Sequence, residues 1–136
     1  KAKHINECSI QIVENFDGKV PSTMEELTTL SGVGRKSANV VMLEAFDNCQ
    51  GIAVDTHAKR ISNRLGLSNE DDPLKIEQDL LKKIPKKYWR LMNHLLVYHG
   101  REVCKAIKPN CELCTVKEYC KYYAKSEKKK KATQNS

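Results

Sequence analysis

The chain has 136 residues, enough for one domain or two small lobes that each bury a core. Lys and Arg number 24 against 17 Asp and Glu, a net charge of +7, which favours a polyanionic partner. With 40% hydrophobic residues the chain is too apolar for full disorder, and no apolar run approaches the ~20 residues of a membrane span. The charge is uneven: residues 125–131 hold five lysines and one glutamate, so over half of the excess sits near the end. No signal-peptide pattern opens the chain, and four of the six cysteines crowd into 17 residues. A secreted disulfide scaffold would spread them, so we expect a metal or cluster site in a reducing, intracellular compartment.

The regular elements all read as helical. Ile5, Cys8, Ile12 and Phe16 recur at helical spacing, and Asp17-Gly18 ends that first helix. It begins at once, with neither Met nor a capping residue before it, as expected of a piece of a longer protein. Ser22-Thr23-Met24-Glu25 has the form of a capping box and opens a short helix in which Met24, Leu27 and Leu30 share a face. Ser31-Gly32-Val33-Gly34 predicts a tight turn. Arg35 to Phe46 is apolar nearly all round beyond its first turn and predicts a central buried helix. Ile52-Ala53-Val54 has no second strand to pair with and reads as a buried extended connector. Asp55 has the chemistry of an N-cap for a helix stopped by Gly66. Asp72-Pro73 starts another, running to about Ile84. Pro85 opens the next, in which Trp89, Met92, Leu95, Leu96 and His99 repeat. Lys82, Lys83, Lys86, Lys87 and Arg90 read as a solvated face, and Tyr88 and Trp89 as core. A short helix around 116–123 follows the cysteine loop. Residues 124–136 read as a basic, disordered tail. The domain organisation expected is therefore 1–51, 52–123 and 124–136.

Three groups of residues carry chemistry. In Leu30–Ala38, two glycines between helices permit a sharp turn and expose backbone N–H groups at the start of the second helix, where donors and dipole together suit a phosphate oxygen. Arg35, Lys36 and Ser37 follow directly and strengthen that reading over a bare helix–helix turn. In Val54-Asp55-Thr56-His57, Asp55 can cap a helix and still present an oxygen to a site, whereas His57 alone reads as a structural histidine. In Cys104-x6-Cys111-x2-Cys114-x5-Cys120, four thiolates suit tetrahedral zinc or an iron–sulfur cluster, and spacing leaves the two open.

The hairpin, the Asp55 segment, His99-Gly100-Arg101 and the cysteine loop occur in an order that resembles the endonuclease III family of helix-hairpin-helix DNA glycosylases. The likeness runs from Lys1 to about Tyr123. It implies an all-α helix-hairpin-helix glycosylase fold, incomplete at the N-terminus, with a C-terminal iron–sulfur loop. It implies a [4Fe-4S] cluster on Cys104, Cys111, Cys114 and Cys120, a nucleophile at Lys36 and an essential carboxylate at Asp55. It further implies that Gly32, Val33, Gly34, Arg35 and Ser37 hold the DNA backbone; Lys105 and Lys108, in the long cysteine loop, are read as further phosphate contacts.

An amine nucleophile suits the chemistry independently, because attack at the sugar C1′ forms a Schiff base that permits β-elimination. The implied activity is base-excision repair of oxidised pyrimidines, with cleavage 3′ of abasic sites. The adenine-removing relatives lack a lysine at this place. In this family much of the lesion pocket and its wedge come from helices that precede the position of Lys1. The connector Asp47–Gly51 is also one residue longer than usual. The expected partner is double-stranded DNA carrying a damaged base or abasic site, bound by a monomer with no membrane. The expected location is the cytoplasm or nucleoid of a bacterium, or the nucleus or mitochondrion of a eukaryote. Two alternatives remain at this point: a non-catalytic DNA-binding fragment that keeps hairpin and cluster, and a zinc-bound interaction module.

Overall fold

The computed structural model describes residues 1–135, and among them every regular element is helical. The helices are α1 (Ala2–Asn15), α2 (Met24–Leu27), α3 (Arg35–Phe46), α4 (Thr56–Leu65), α5 (Pro73–Lys83), α6 (Trp89–Glu102) and α7 (Lys121–Gln134). No helix among the described residues is long and apolar enough to cross a membrane. The chain divides into two compact units, Lys1–Ala53 and Val54–Ser136. The division falls inside the extended segment Ile52-Ala53-Val54, in which Ile52 and Val54 are buried.

The first unit holds α1 to α3. Its core is Leu27, Leu30, Ala38 and Met42, with Cys8, Ile12, Phe16 and Val33 packed against it. The apolar spacing read along α1 and α2 therefore converges on one cluster. Two local features differ from the sequence expectation, and the end of α3 at Phe46 agrees with it. The cap of α2 is Thr23, whose Oγ1 accepts from the Glu26 N–H at 3.3 Å, one residue later than the capping box predicts. That shift leaves α2 a single turn and places Leu27 inward. Also, α3 buries one face only, through Ala38, Asn39, Met42 and Leu43. Val40 and Phe46 are exposed, because α1 and α2 supply too little surface to surround a twelve-residue helix. Finally, Asp47 ends α3 in the left-handed conformation (φ +52°), which a short polar side chain tolerates better than most.

The second unit is arranged around α4, which packs against α5, α6 and α7. Ala58 and Ile61 of α4, Ile76 and Leu80 of α5, and Leu96 of α6 are buried. Asp55 caps α4, with Oδ1 accepting from the Ala58 N–H at 2.7 Å, and Gly66 closes it at φ +87°. Asp72-Pro73 starts α5 as the sequence predicts. A 3-10 turn at Lys86–Tyr88 precedes α6. The Trp89 indole N–H donates to the Ile84 carbonyl at 2.8 Å, while Tyr88 and Leu95 are exposed rather than core. At Gly100, α6 approaches α4 so closely that a Cβ would lie 2.8 Å from the His57 Cβ.

The clearest departure from the sequence expectation is the basic tail, which forms α7 through Gln134. The segment has no Gly or Pro and is rich in Lys, Ala, Glu and Gln, all good helix formers. A Lys130–Glu127 pair at 2.9 Å supports it one turn apart. The short helix expected over 116–123 is instead a 3-10 turn at Lys117–Tyr119 followed by the start of α7. Ser136, the last residue of the expected tail, lies outside the described residues.

Candidate nucleic-acid interface and cysteine centre

The hairpin is fixed by α1. Ser31 is its anchor: its N–H donates to Gln11 Oε1 at 2.7 Å and its hydroxyl to Glu7 Oε2 at 2.7 Å. His4 Nδ1 lies 2.9 Å from the same hydroxyl oxygen. A serine has one proton to give, and Glu7 takes it, so His4 must donate through Nδ1–H. The result is a chain running from His4 through Ser31 to Glu7. His4, Glu7 and Gln11 stand three and four residues apart, one above another on one side of α1. Gly32 then adopts φ +78°, and a Cβ there would come within 3.0 Å of the His4 Cβ. Glycine is needed at this position both for its conformation and for space.

Gly34 stands at the N-cap of α3 and supplies no side chain to satisfy the first N–H groups of the helix. Arg35, Lys36 and Ser37 occupy the first turn and are exposed, and Val33 is half-buried. No acidic residue sits in that turn. The hairpin thus brings together six of the residues read from the sequence: Gly32, Val33, Gly34, Arg35, Lys36 and Ser37. Open amide donors, the positive end of a twelve-residue helix and two cationic side chains form a place where an anion is favoured.

Asp55 belongs to the second unit. It is half-buried, and the cap commits Oδ1, which holds the carboxylate in one orientation and leaves Oδ2 as its second acceptor. One turn on, Arg60 reaches the end of α6. Its guanidinium donates to the carbonyls of Gly100 at 2.8 Å and Cys104 at 2.9 and 3.0 Å, and lies 3.1 Å from His57 Nδ1. Arginine only donates, so in a hydrogen bond between the two His57 Nδ1 is the acceptor. Arg64, one further turn along, donates to the Lys105 and Ala106 carbonyls at 2.7 and 2.9 Å and to Cys104 Sγ at 3.3 Å. Its guanidinium also lies over the Tyr122 ring, 4.8 Å from the centroid. Sequence reasoning missed both arginines; their signal is two cations at i and i+4 beside the buried positions Ala58 and Ile61.

The four loop cysteines line one cavity, together with Ile61, Leu65 and Val103 and the polar side chains of Arg64, His99 and Lys117. All four are half-buried and none is in a disulfide. Burial pushes the Cys111 thiol up, and the neighbouring Cys104, Cys120 and Cys114 push the same way, with Arg64 opposing. Four thiolates in such a cavity would repel one another, and a soft metal group would offset that charge. Among the described residues, no group of three or more His, Cys, Asp or Glu forms a single-ion site, although the four sulfurs face one space. His99 Nε2 lies 3.6 Å from Cys114 Sγ, and burial holds the imidazole below its ordinary range. The loop closes through the Asn110 N–H to the Val103 carbonyl at 2.9 Å. Lys105 and Lys108 are exposed on it, and Lys108 is left-handed at φ +51°.

Residues 15–44 match the helix-hairpin-helix motif. The chain is 52% identical over 120 residues to endonuclease III of Synechocystis sp., covering 88% of this chain and 55% of that protein. It is 44% identical over 130 residues to endonuclease III of Bacillus subtilis, covering 95% and 59%. A solved trapped endonuclease III–DNA covalent intermediate superposes with a TM-score of 0.86 at 39% identity, covering 93% of this chain and 59% of that one. A non-covalent endonuclease III–DNA complex gives the same values. The chain spans a little over half the length of these relatives. Likeness in sequence along nearly the whole chain, likeness in fold and the matched hairpin together place this chain in the endonuclease III family.

Proposed function

We propose that this chain carries the DNA-holding hairpin, the nucleophile and the cluster site of a bifunctional DNA glycosylase and abasic-site lyase acting in base-excision repair. The observation that supports it most is the hairpin: Lys36 stands exposed in the first turn of α3, beside amide donors that Gly34 leaves open. A phosphate bound there would bring the sugar of a flipped nucleotide to the lysine. The solved relative captured as a covalent intermediate with DNA supports a nucleophilic route.

In this reading Lys36 Nζ attacks C1′ and the base departs with the electrons of the glycosidic bond. Ring opening gives an iminium between Nζ and C1′. Loss of a C2′ proton then expels the 3′ phosphate and breaks the strand. A free lysine is neutral in only about one molecule per thousand at neutral pH, so an acceptor for the ammonium proton is needed. Asp55 is the essential carboxylate of this reading, a group able to take up a proton or to offset a developing cation. Its Oδ1 is held by the cap, which leaves Oδ2 for either role. Gly32, Val33, Gly34, Arg35 and Ser37 bind backbone phosphate, as do Lys105 and Lys108. Cys104, Cys111, Cys114 and Cys120 would hold a [4Fe-4S] cluster, whose iron would crosslink the loop. Damaged or abasic duplex DNA is the substrate, bound by a monomer.

The test is borohydride trapping on a duplex with one abasic site. A covalent adduct is expected, and Lys36→Ala should lose it while still retarding the duplex in a gel. An adduct that survives Lys36→Ala would remove the nucleophile assignment. Retardation without any adduct from the unaltered chain would favour a non-catalytic DNA-binding role. Iron and acid-labile sulfide in the purified protein are expected in place of zinc.

A further inference from the structure

The helix α7 has a charge pattern that neither the hairpin nor the cysteine centre uses. Its fourteen residues hold six lysines against the single Glu127, five of the seven net charges of the chain. At 100° per residue, Lys121, Lys125, Lys128 and Lys129 fall on one side of the helix, and Tyr123, Ser126, Glu127 and Lys130 on the other. The structure orients the two sides differently. Tyr123, Ser126 and Glu127 are half-buried, and Glu127 pairs with Lys130 at 2.9 Å. The four lysines of the first side are exposed, and Lys125, Lys128 and Lys129 make no ion pair among the described residues.

The helix is also anchored. Cys120 stands at its N-cap, Tyr122 stacks under Arg64, and Lys121 lies against Gly66. The lysine stripe is therefore presented from a docked helix in place of a free tail. Like charges three and four residues apart repel, so the stripe weakens the helix that carries it until counter-charge arrives. From Lys121 to Lys129 the stripe rises about 12 Å, at 1.5 Å per residue. Duplex DNA offers a negative charge about every 1.7 Å of its axis and so covers that length with several phosphates. A membrane surface fits worse, because residues 121–134 contain no Leu, Ile, Val, Phe or Trp to enter it.

We infer that the Lys121–Lys129 stripe of α7 is a second contact for the phosphate backbone of duplex DNA, independent of lesion and of base sequence. It rests on DNA being the partner but not on any step at Lys36. The test titrates an undamaged duplex against the full chain across a salt series, by fluorescence anisotropy. Replacing Lys125, Lys128 and Lys129 by Gln should weaken binding and reduce the slope of log K against log salt by roughly 2 to 3, about 0.9 for each phosphate that is no longer neutralised. Replacing the same three by Arg should restore the slope. An unchanged slope in the Gln variant overturns the inference. So does a variant that loses affinity for phosphatidylserine vesicles but keeps its duplex slope. Because no damaged base or adduct enters the measurement, failure of the lyase reading would leave this result standing, and the reverse holds too.

Discussion

The hairpin of the first unit and the cysteine loop of the second are both turns steadied by polar side chains of a neighbouring helix, yet they are completed differently. At the hairpin, His4, Glu7 and Gln11 of α1 converge on one residue, Ser31, and Gly32 and Gly34 do the rest with backbone alone. Its turn is held by protein groups, and Gly34 adds no side-chain acceptor at the start of α3. In the loop, the guanidiniums of Arg60 and Arg64 donate to the entrance, from Gly100 to Ala106, and the Arg64 carbonyl accepts from Cys120 Sγ at the exit. Beyond the entrance lie 3-10 turns, exposed Ile107, Leu113 and Tyr119, and three of the four cysteines that line the cavity. The hairpin is held by side chains of its own unit, whereas the loop is built of short 3-10 turns with several exposed apolar side chains.

This contrast is tested most strongly at Cys111. Cys111→Ala should abolish incorporation of iron and labile sulfide and cost the second unit on the order of 2–5 kcal/mol, the loss expected for a native crosslink. Hydrogen exchange should show the difference between the units: amides of α4 and α6 lose protection, and those of α3 keep it. Equal loss in both units would show that the hairpin depends on the loop.

Next in size is Arg60, which ties α4 to the first cysteine. Arg60→Leu removes every donor to the Gly100 and Cys104 carbonyls and frees His57, a loss of about 2–3 kcal/mol for charge-assisted bonds at a half-buried site. Arg60→Lys should recover only part, since one ammonium cannot span the same acceptors. Chemical denaturation monitored by Trp89 fluorescence measures both. A Leu variant as stable as the parent would place the hold on the loop elsewhere.

Much of this arrangement is legible in the residues. Asp55, Gly66 and Asp72-Pro73 mark helix ends by local chemistry, and the structure puts ends there. The glycine pair of the hairpin and the cysteine spacing also act over short stretches. What stays hidden depends on partners far away in the chain. Arg60 and Arg64 bond to groups 40–44 residues on, and in the sequence they look like ordinary surface charge. Ser31 looks like a turn residue, and its tie to Glu7 spans 24 positions. The run Lys128–Lys131 suggests disorder by composition, yet it continues a helix whose first turn packs Tyr122 under Arg64. The apolar ring of α3 is legible as a pattern but not as burial, because Val40 and Phe46 stay uncovered.

The smallest effect, and the finest test of the contrast, is at Ser31. Ser31→Ala deletes the hydroxyl that links His4 to Glu7 but keeps the backbone N–H that Gln11 accepts. The site is partly exposed, so water replaces both missing partners and the global cost should be about 1 kcal/mol. The consequence should be local. With one of its three ties left, the hairpin should open more often, and exchange at the Val33 amide, which bonds the Leu30 carbonyl at 3.1 Å, should quicken. Amides of α4 should not respond. Duplex affinity should fall with the preorganisation of the turn, since Gly32 must be held left-handed before its neighbours can present their donors. A Ser31→Ala protein with faster Val33 exchange and undiminished affinity would mean that the phosphate itself orders the hairpin, and not the side chains of α1.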